Sequence, residues 1–365
     1  MKAYYNAKVF NGTSFIQNAA VLVSDEHIID VVSIDNIPEE ADKIDLNKQF
    51  LAPAFIDIQI YGGNGHLFSN DLSAEAITST YDYCTSGGAA NFVITLATNT
   101  IEVFLKGIEA VKQYWKNGGR GLIGLHLEGP YINSIKRGAH LEDCIKKPTI
   151  DEIKLLLRHG KGVIKIMTLA PEQCDPDCIK LLQDNGVVVS AGHSNATYEE
   201  ATKAFDNGIP IATHLFNAMS PLAHRAPGMV GAIYDHKTVM SSIVPDGIHV
   251  DFSVLRISKQ IMGPRLFMIT DAVAATTTGT YAHVFKGDRY TLPDGTLSGS
   301  ALTMMKCIIN CVTKAGISLE EALRMASLYP AKAIGIDNEL GKIEKGYKAA
   351  MVVFDDAYNV TNLFG

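Results

Sequence analysis

The feature that most restricts what this chain can fold into is a repeated alternation. Eight short apolar runs, 54–60, 91–97, 121–129, 163–171, 187–193, 210–217, 238–247 and 265–272, are separated by amphipathic stretches. Runs that are apolar almost throughout suit strands of a parallel sheet covered on both faces. The stretches between them carry helix-start signals: Thr149 with Glu152 and Thr197 with Glu200 have the capping-box spacing, and Ser318 with Glu321 repeats it later. Eight strands with intervening helices predict an α/β fold, a (β/α)8 TIM-type barrel of about 250 residues. A doubly wound open sheet is the rival, but no GxGxxG or Walker loop follows an early strand, so its usual nucleotide site is missing.

The two chain ends read differently. Residues 18–34 look like strands with a turn at Ser24–Glu26, and residues 340–355 like short strands around glycine turns. Neither piece buries a core alone. The expectation is a small β-sandwich domain built from 1–51 with 340–365, flanking a barrel at 52–339.

Charge and cysteine usage exclude several classes. The net charge of −7 comes without basic blocks, which argues against nucleic acid or an anionic membrane as partner. No apolar run is long enough to span a bilayer. The opening MKAYYNAKVFNGTSF lacks the layout of a signal peptide, so a cytoplasmic location is expected. The six cysteines do not make a disulfide scaffold. Cys174 with Cys178 and Cys307 with Cys311 are four apart on expected helices, and all six read as reduced, mostly buried thiols.

Chemistry in a barrel gathers where strands end and the following loops begin. Several runs end on residues that apolar packing would not choose: Asp57 and Gln59, His126 and Glu128, His193, His214, Asp246 and His249, and Asp271. A single strand-end histidine is more often a hydrogen-bonded half-buried residue than a ligand. Together these residues converge on one mouth, where buried carboxylates and imidazoles are costly unless paired or bound to metal. Glu128, His193 and His214 supply two histidines and one carboxylate, a standard set for a catalytic metal with an open position. Such a metal activates a water as nucleophile near neutral pH. Asp271 is placed to take a proton from that water and pass it to a leaving amine.

The stretches LHLEGP, SAGHSNAT, ATHLFNAM, RAPG at 225–228, PDGIHVD, ITDA, DGTLSGSALTM and LYPAKAIG resemble, in this order, the amidohydrolase superfamily and within it the N-acetylglucosamine-6-phosphate deacetylase family. The resemblance implies metal-dependent hydrolysis of the linear amide of N-acetyl-D-glucosamine 6-phosphate to D-glucosamine 6-phosphate and acetate. It implies Glu128, His193 and His214 as metal ligands, Asp271 as general acid/base and His140 as the group that polarises the substrate carbonyl. It also implies substrate contacts from Gln59, Ala139, His140, Asn217, Ala218, Arg225, His249, Leu297, Ser298 and Gly299, with Arg225 and His249 at the phosphate. Some phosphate contacts in this family come from a neighbouring subunit, which implies a homodimer or tetramer with a shared active site.

Where many superfamily members carry HxH, this chain reads Asp57-Ile58-Gln59. The expectation is one divalent metal per chain, zinc suiting the ligands best and iron, manganese or cobalt being alternatives. Lys165 is read as structural. The rival functions are an N-acetylgalactosamine-6-phosphate deacetylase and a non-catalytic phosphosugar-binding barrel.

Overall fold

The computed structural model describes residues 1–276 and 279–365. Eight parallel strands form its central sheet in chain order: Phe55–Ile60, Ala89–Ala97, Leu122–Glu128, Ile164–Leu169, Val188–Ala191, Ile211–Ala212, Met240–Ile243 and Leu266–Met268. The sheet closes just past its last strand. Asp271 N donates to Gln59 O at 3.0 Å, Tyr61 N donates to Ala272 O at 2.9 Å, and Ile60 bridges Ala272 in parallel. The expected barrel is therefore the observed one.

Within the apolar runs a period of two is hidden, because side chains alternate across a strand. In the first strand Ile56, Ile58 and Ile60 join the main hydrophobic core, while Asp57 and Gln59 take the other face. Leu125 and Leu127 alternate likewise with His126 and Glu128. The lumen face is tied by hydrogen bonds. His126 bonds Thr168 Oγ1 at 2.7 Å through Nε2 and Thr95 Oγ1 at 3.4 Å through Nδ1. Thr213 Oγ1 continues the chain to Thr168 at 2.8 Å and Ser190 at 2.5 Å. His126, a site-like residue in the sequence, is thus a satisfied packing histidine, which burial keeps neutral with a pKa of about 3.

The caps follow the sequence signals, but only one of the three capping boxes is reciprocal. Thr197 and Glu200 complete a reciprocal capping box at the helix Tyr198–Asp206. Ser318 accepts from Glu321 N at the helix Leu319–Ala326. Glu321 does not return the bond, because its carboxylate is taken by Lys259 and by Arg324 at 2.7 Å. Thr149 likewise accepts from Glu152 N alone, and Glu152 pairs with Lys146. Cys174 lies ahead of the helix Pro176–Asp184 rather than on it, since Asp175 and Pro176 start that helix at its N-cap and N1 positions. All six cysteines are free, five of them buried.

The chain ends form two further sheets. One pairs His27–Ser33, Ala19–Ser24, Lys2–Tyr5 and Asp42–Asp45; the other pairs Val360–Phe364, Met351–Phe354, Phe50–Pro53, Lys8–Phe10 and Phe15–Ile16. Tyr4, Val9, Val21, Ile28, Leu51, Met351 and Val353 form a second core. The strand Phe50–Pro53 crosses the 51/52 division, because Met351 pairs with Pro53 and Phe354 with Phe50. Lys165 is half-buried at the start of the fourth barrel strand, the end away from the mouth. Among the described residues no helix is long and apolar enough to cross a membrane.

Candidate active site

Three of the strand-end residues have a backbone that their type rarely adopts. His193, His214 and Asp271 have φ of 47°, 39° and 54°, the left-handed region that costs a non-glycine residue roughly 1–3 kcal/mol when strained. Neighbouring segments hold each of them. Asn133 N donates to His193 O at 2.9 Å, His214 N to Ser242 Oγ at 2.7 Å, and Ser300 N to Asp271 O at 2.8 Å. All three residues line one cavity at the mouth. Gly129, after Glu128, has φ 85°, and a Cβ there would meet Thr98 Oγ1 at 2.0 Å. That close approach lets Thr98 Oγ1 donate to Glu128 O at 3.0 Å.

Glu128 is the hub. His214 Nε2 lies 3.1 Å and His193 Nε2 3.4 Å from its Oε1, and His140 Nε2 lies 3.3 Å from its Oε2. Hydrogen-bond partners assign the tautomers. His193 Nδ1 faces Lys136 O at 2.9 Å, a carbonyl that only accepts, so Nδ1 carries the proton and Nε2 a lone pair. Burial pushes His193 down to about 4, so it is neutral at pH 7. Its lone pair therefore points at a carboxylate oxygen and at His214 Nε2, 3.1 Å away. A lone pair facing a carboxylate oxygen is unfavourable by itself and fits a cation between the two. His140 is the reverse case: its Nε2 faces Glu128 Oε2, a carboxylate oxygen that only accepts, so Nε2 carries a proton, while Thr98 N donates to Nδ1 at 3.2 Å and Thr98 Oγ1 lies 2.8 Å from it. Glu128, His140 and His193 have ligand atoms within 4.8 Å of one another. The tautomers separate His140, a donor, from His193, a ligand-type nitrogen. His214 Nε2 lies 3.1 Å from Glu128 Oε1; burial lowers the His214 pKa, but the Glu128 charge outweighs it and the net shift is upward.

Gln59 behaves as a donor to both carboxylates. Its Nε2 lies 3.1 Å from Glu128 Oε1 and 2.9 Å from Asp271 Oδ1. The Tyr61 hydroxyl donates to Glu128 Oε2. Burial alone would raise Glu128, but the three imidazoles reverse this and hold its carboxyl well below the usual range. Asp271 goes the other way: burial raises it, Glu128 adds to the rise, and His214 opposes it.

Asp57 lies under the site, bonded by the Thr270 hydroxyl. Burial raises its carboxyl to about 7, although bonds from Thr270 and Gln59 pull it down. The folded pKa thus exceeds the ~3.9 of an unfolded aspartate. The folded state keeps this proton over roughly pH 4–7 where the unfolded state has released it, so stability from this group falls as pH rises through that window. Melting temperatures of the parent and Asp57→Asn between pH 5 and 8 check this. The parent should lose ground to the variant as pH rises, and a constant gap would contradict it.

One cavity collects most of the residues singled out in the sequence. Glu128, Ala139, His140, His193, His214, Asn217, Ala218, His249, Asp271, Leu297, Ser298 and Gly299 all line it. Gln59 sits behind Tyr61, and Arg225 lies exposed on the 221–226 loop outside the cavity. His249 pairs with Asp246 at 2.6 Å, which holds that carboxyl below its usual range despite burial. Among the described residues, no lysine or arginine lines the cavity. Tyr61, Tyr281 and His283 line it too and were missed. Tyr61 carried a signal, since it continues the period-two register of Asp57 and Gln59; the other two lie in a stretch without periodicity.

A family model described as the amidohydrolase family matches residues 50–365. The chain is 36% identical to the N-acetylglucosamine-6-phosphate deacetylase of Haemophilus influenzae, covering 98% of this chain and 96% of that protein. It is 34% identical to the N-acetylgalactosamine-6-phosphate deacetylase of a Shewanella species, over 97% and 92% of the two chains. The crystal structure of N-acetylglucosamine-6-phosphate deacetylase from Pasteurella multocida superposes with a TM-score of 0.95 at 33% identity, covering 100% of this chain and 97% of that one. A closed parallel barrel with a carboxylate and imidazoles at its mouth, matched over this length, places the chain in the amidohydrolase family.

Proposed function

We propose that the chain hydrolyses the acetamide of N-acetyl-D-glucosamine 6-phosphate, giving D-glucosamine 6-phosphate and acetate. The observation that carries this reading is the division of labour at Glu128. The Nε2 atoms of His193 and His214 face its Oε1, one imidazole N–H faces its Oε2, and Asp271 adjoins through Gln59. The relatives' activity supplies the substrate.

In this reading Glu128, His193 and His214 hold one divalent cation, zinc suiting two imidazoles and a carboxylate. When bound, it lowers the pKa of a water towards ~7 and polarises a carbonyl. His140 donates its Nε2 proton to the carbonyl oxygen as negative charge develops there. Asp271 takes the proton of the attacking water and delivers it to the departing nitrogen, and its raised pKa suits that shuttle. Gln59 keeps both carboxylates oriented and takes up, as a neutral donor, the place where a second cation would need a ligand.

Asn217, Ala218, Ala139, Leu297, Ser298 and Gly299 contact the sugar, and His249 the phosphate. An anion needs more positive charge than one imidazole paired to Asp246 provides. Exposed Arg225 reaching the cavity of a second copy supplies it, in a homodimer or a tetramer. The free thiols suit a reducing compartment, the cytoplasm.

The test is acetate release from the gluco and galacto 6-phosphates by chelator-treated protein, before and after adding zinc, with elemental analysis. The expected outcome is about one metal per chain and a higher kcat/KM on the gluco epimer. Preference for the galacto epimer would reassign the substrate. Substrate binding without acetate release under any divalent metal would leave a non-catalytic phosphosugar-binding barrel.

A further inference from the structure

His283 has no part in the chemistry described so far, yet it stands in the cavity wall. It precedes the hairpin Val284–Phe285 and Tyr290–Thr291, is only 5% exposed, and lines the cavity beside Ser298 and Gly299. Its Nδ1 and Ser298 Oγ are 3.0 Å apart, and among the described residues Nε2 has no hydrogen-bond partner. Its position is set from both sides. Thr276 N donates to His283 O at 3.1 Å, and Ser298 N donates to Tyr290 O at 3.1 Å. The Tyr281 hydroxyl ties the same segment to Thr98 O at 2.7 Å. Burial keeps the ring neutral, with a pKa of about 4.

The wall around it is apolar: Tyr61, Leu67, Ala97, Val273 and Tyr281 form one cluster. A few fixed polar groups in an apolar cavity are what orient a ligand. The acetamide belongs with Glu128, His140 and Asp271, and a phosphate calls for cations, which a neutral imidazole is not. The sugar's own hydroxyls remain, and they suit a ring that both donates and accepts.

We infer that His283 hydrogen-bonds a ring hydroxyl of the amino-sugar phosphate and so helps to set which sugar the cavity accepts. This rests on the deacetylase reading above. A buried group built to bond a hydroxyl discriminates strongly, because an analogue lacking that hydroxyl leaves it unpaired.

The experiment compares the zinc-loaded parent with His283→Phe and His283→Gln on N-acetylglucosamine 6-phosphate and on its 3-deoxy and 4-deoxy analogues. In His283→Phe, KM should rise about 10- to 100-fold with kcat within a few-fold and metal content unchanged. His283→Gln should recover part of the loss. One deoxy analogue should be a poor substrate for the parent, yet be handled by His283→Phe about as well as the full sugar. A KM within twofold of the parent's in His283→Phe overturns the inference. So does a deoxy penalty of equal size in parent and variant for both analogues. If the parent itself releases no acetate, the deacetylase reading fails first, and that result is distinct from an active parent with an indifferent variant.

Discussion

Replacing Asp271 by asparagine should lower kcat for acetate release by ~10²–10⁴-fold, the range for losing a positioned acid/base, and leave metal content unchanged. The substitution is conservative in every other respect. Asparagine accepts the left-handed φ of 54° as readily as aspartate does. Its side-chain oxygen can still take the Gln59 Nε2 bond that Asp271 Oδ1 takes at 2.9 Å. What it loses is the ability to bind and release a proton. Burial and the nearby Glu128 raise the Asp271 carboxyl against the pull of His214, so its basicity is above that of a solvated carboxylate. An Asp271→Asn protein that keeps its metal and nearly full turnover would remove Asp271 from the proton path.

A pair of substitutions around Glu128 should separate holding the metal from polarising the substrate. Glu128→Gln keeps the volume but removes the charge that the Nε2 atoms of His193 and His214 face, at 3.4 and 3.1 Å. Metal content should fall from about one per chain to near zero, and activity with it. His140→Asn should retain the metal and lose ~10²–10³-fold in kcat, the effect of removing one oxyanion donor. The asymmetry follows from His140 Nε2, a donor because it faces Glu128 Oε2, while the Thr98 backbone N–H occupies Nδ1. Elemental analysis and acetate release on the two purified variants decide the matter. Loss of metal in His140→Asn with retention in Glu128→Gln would invert the assignment.

Much of the fold could be read before any coordinates, because its signals are local. The apolar runs mark eight strands, and Thr197 with Glu200 marks a helix start that the structure builds in full. The same kind of signal at Ser318 and Glu321 is only half realised, because Lys259 and Arg324 compete for the glutamate. No local pattern contains that competition. The site divides along the same line. Glu128, His193, His214 and Asp271 stand out as polar residues ending apolar runs, and all four line the cavity. Arg225, which only the family resemblance singled out, lies outside it, since where a loop points depends on what it packs against.

By itself, then, the sequence determined the barrel, the set of strand-end residues and the family. The first two depend on residue type at a spacing of two, four or a few residues along the chain, and the family on the resemblance of short stretches in one order. Only the tertiary structure decided which imidazole nitrogens carry protons, because Lys136 O and Thr98 N lie far from His193 and His140 in the chain. It alone brought Tyr61 to Glu128 and His283 to Ser298. Donor and acceptor roles belong to pairs of groups, and a linear chain names the groups without stating which of them will meet.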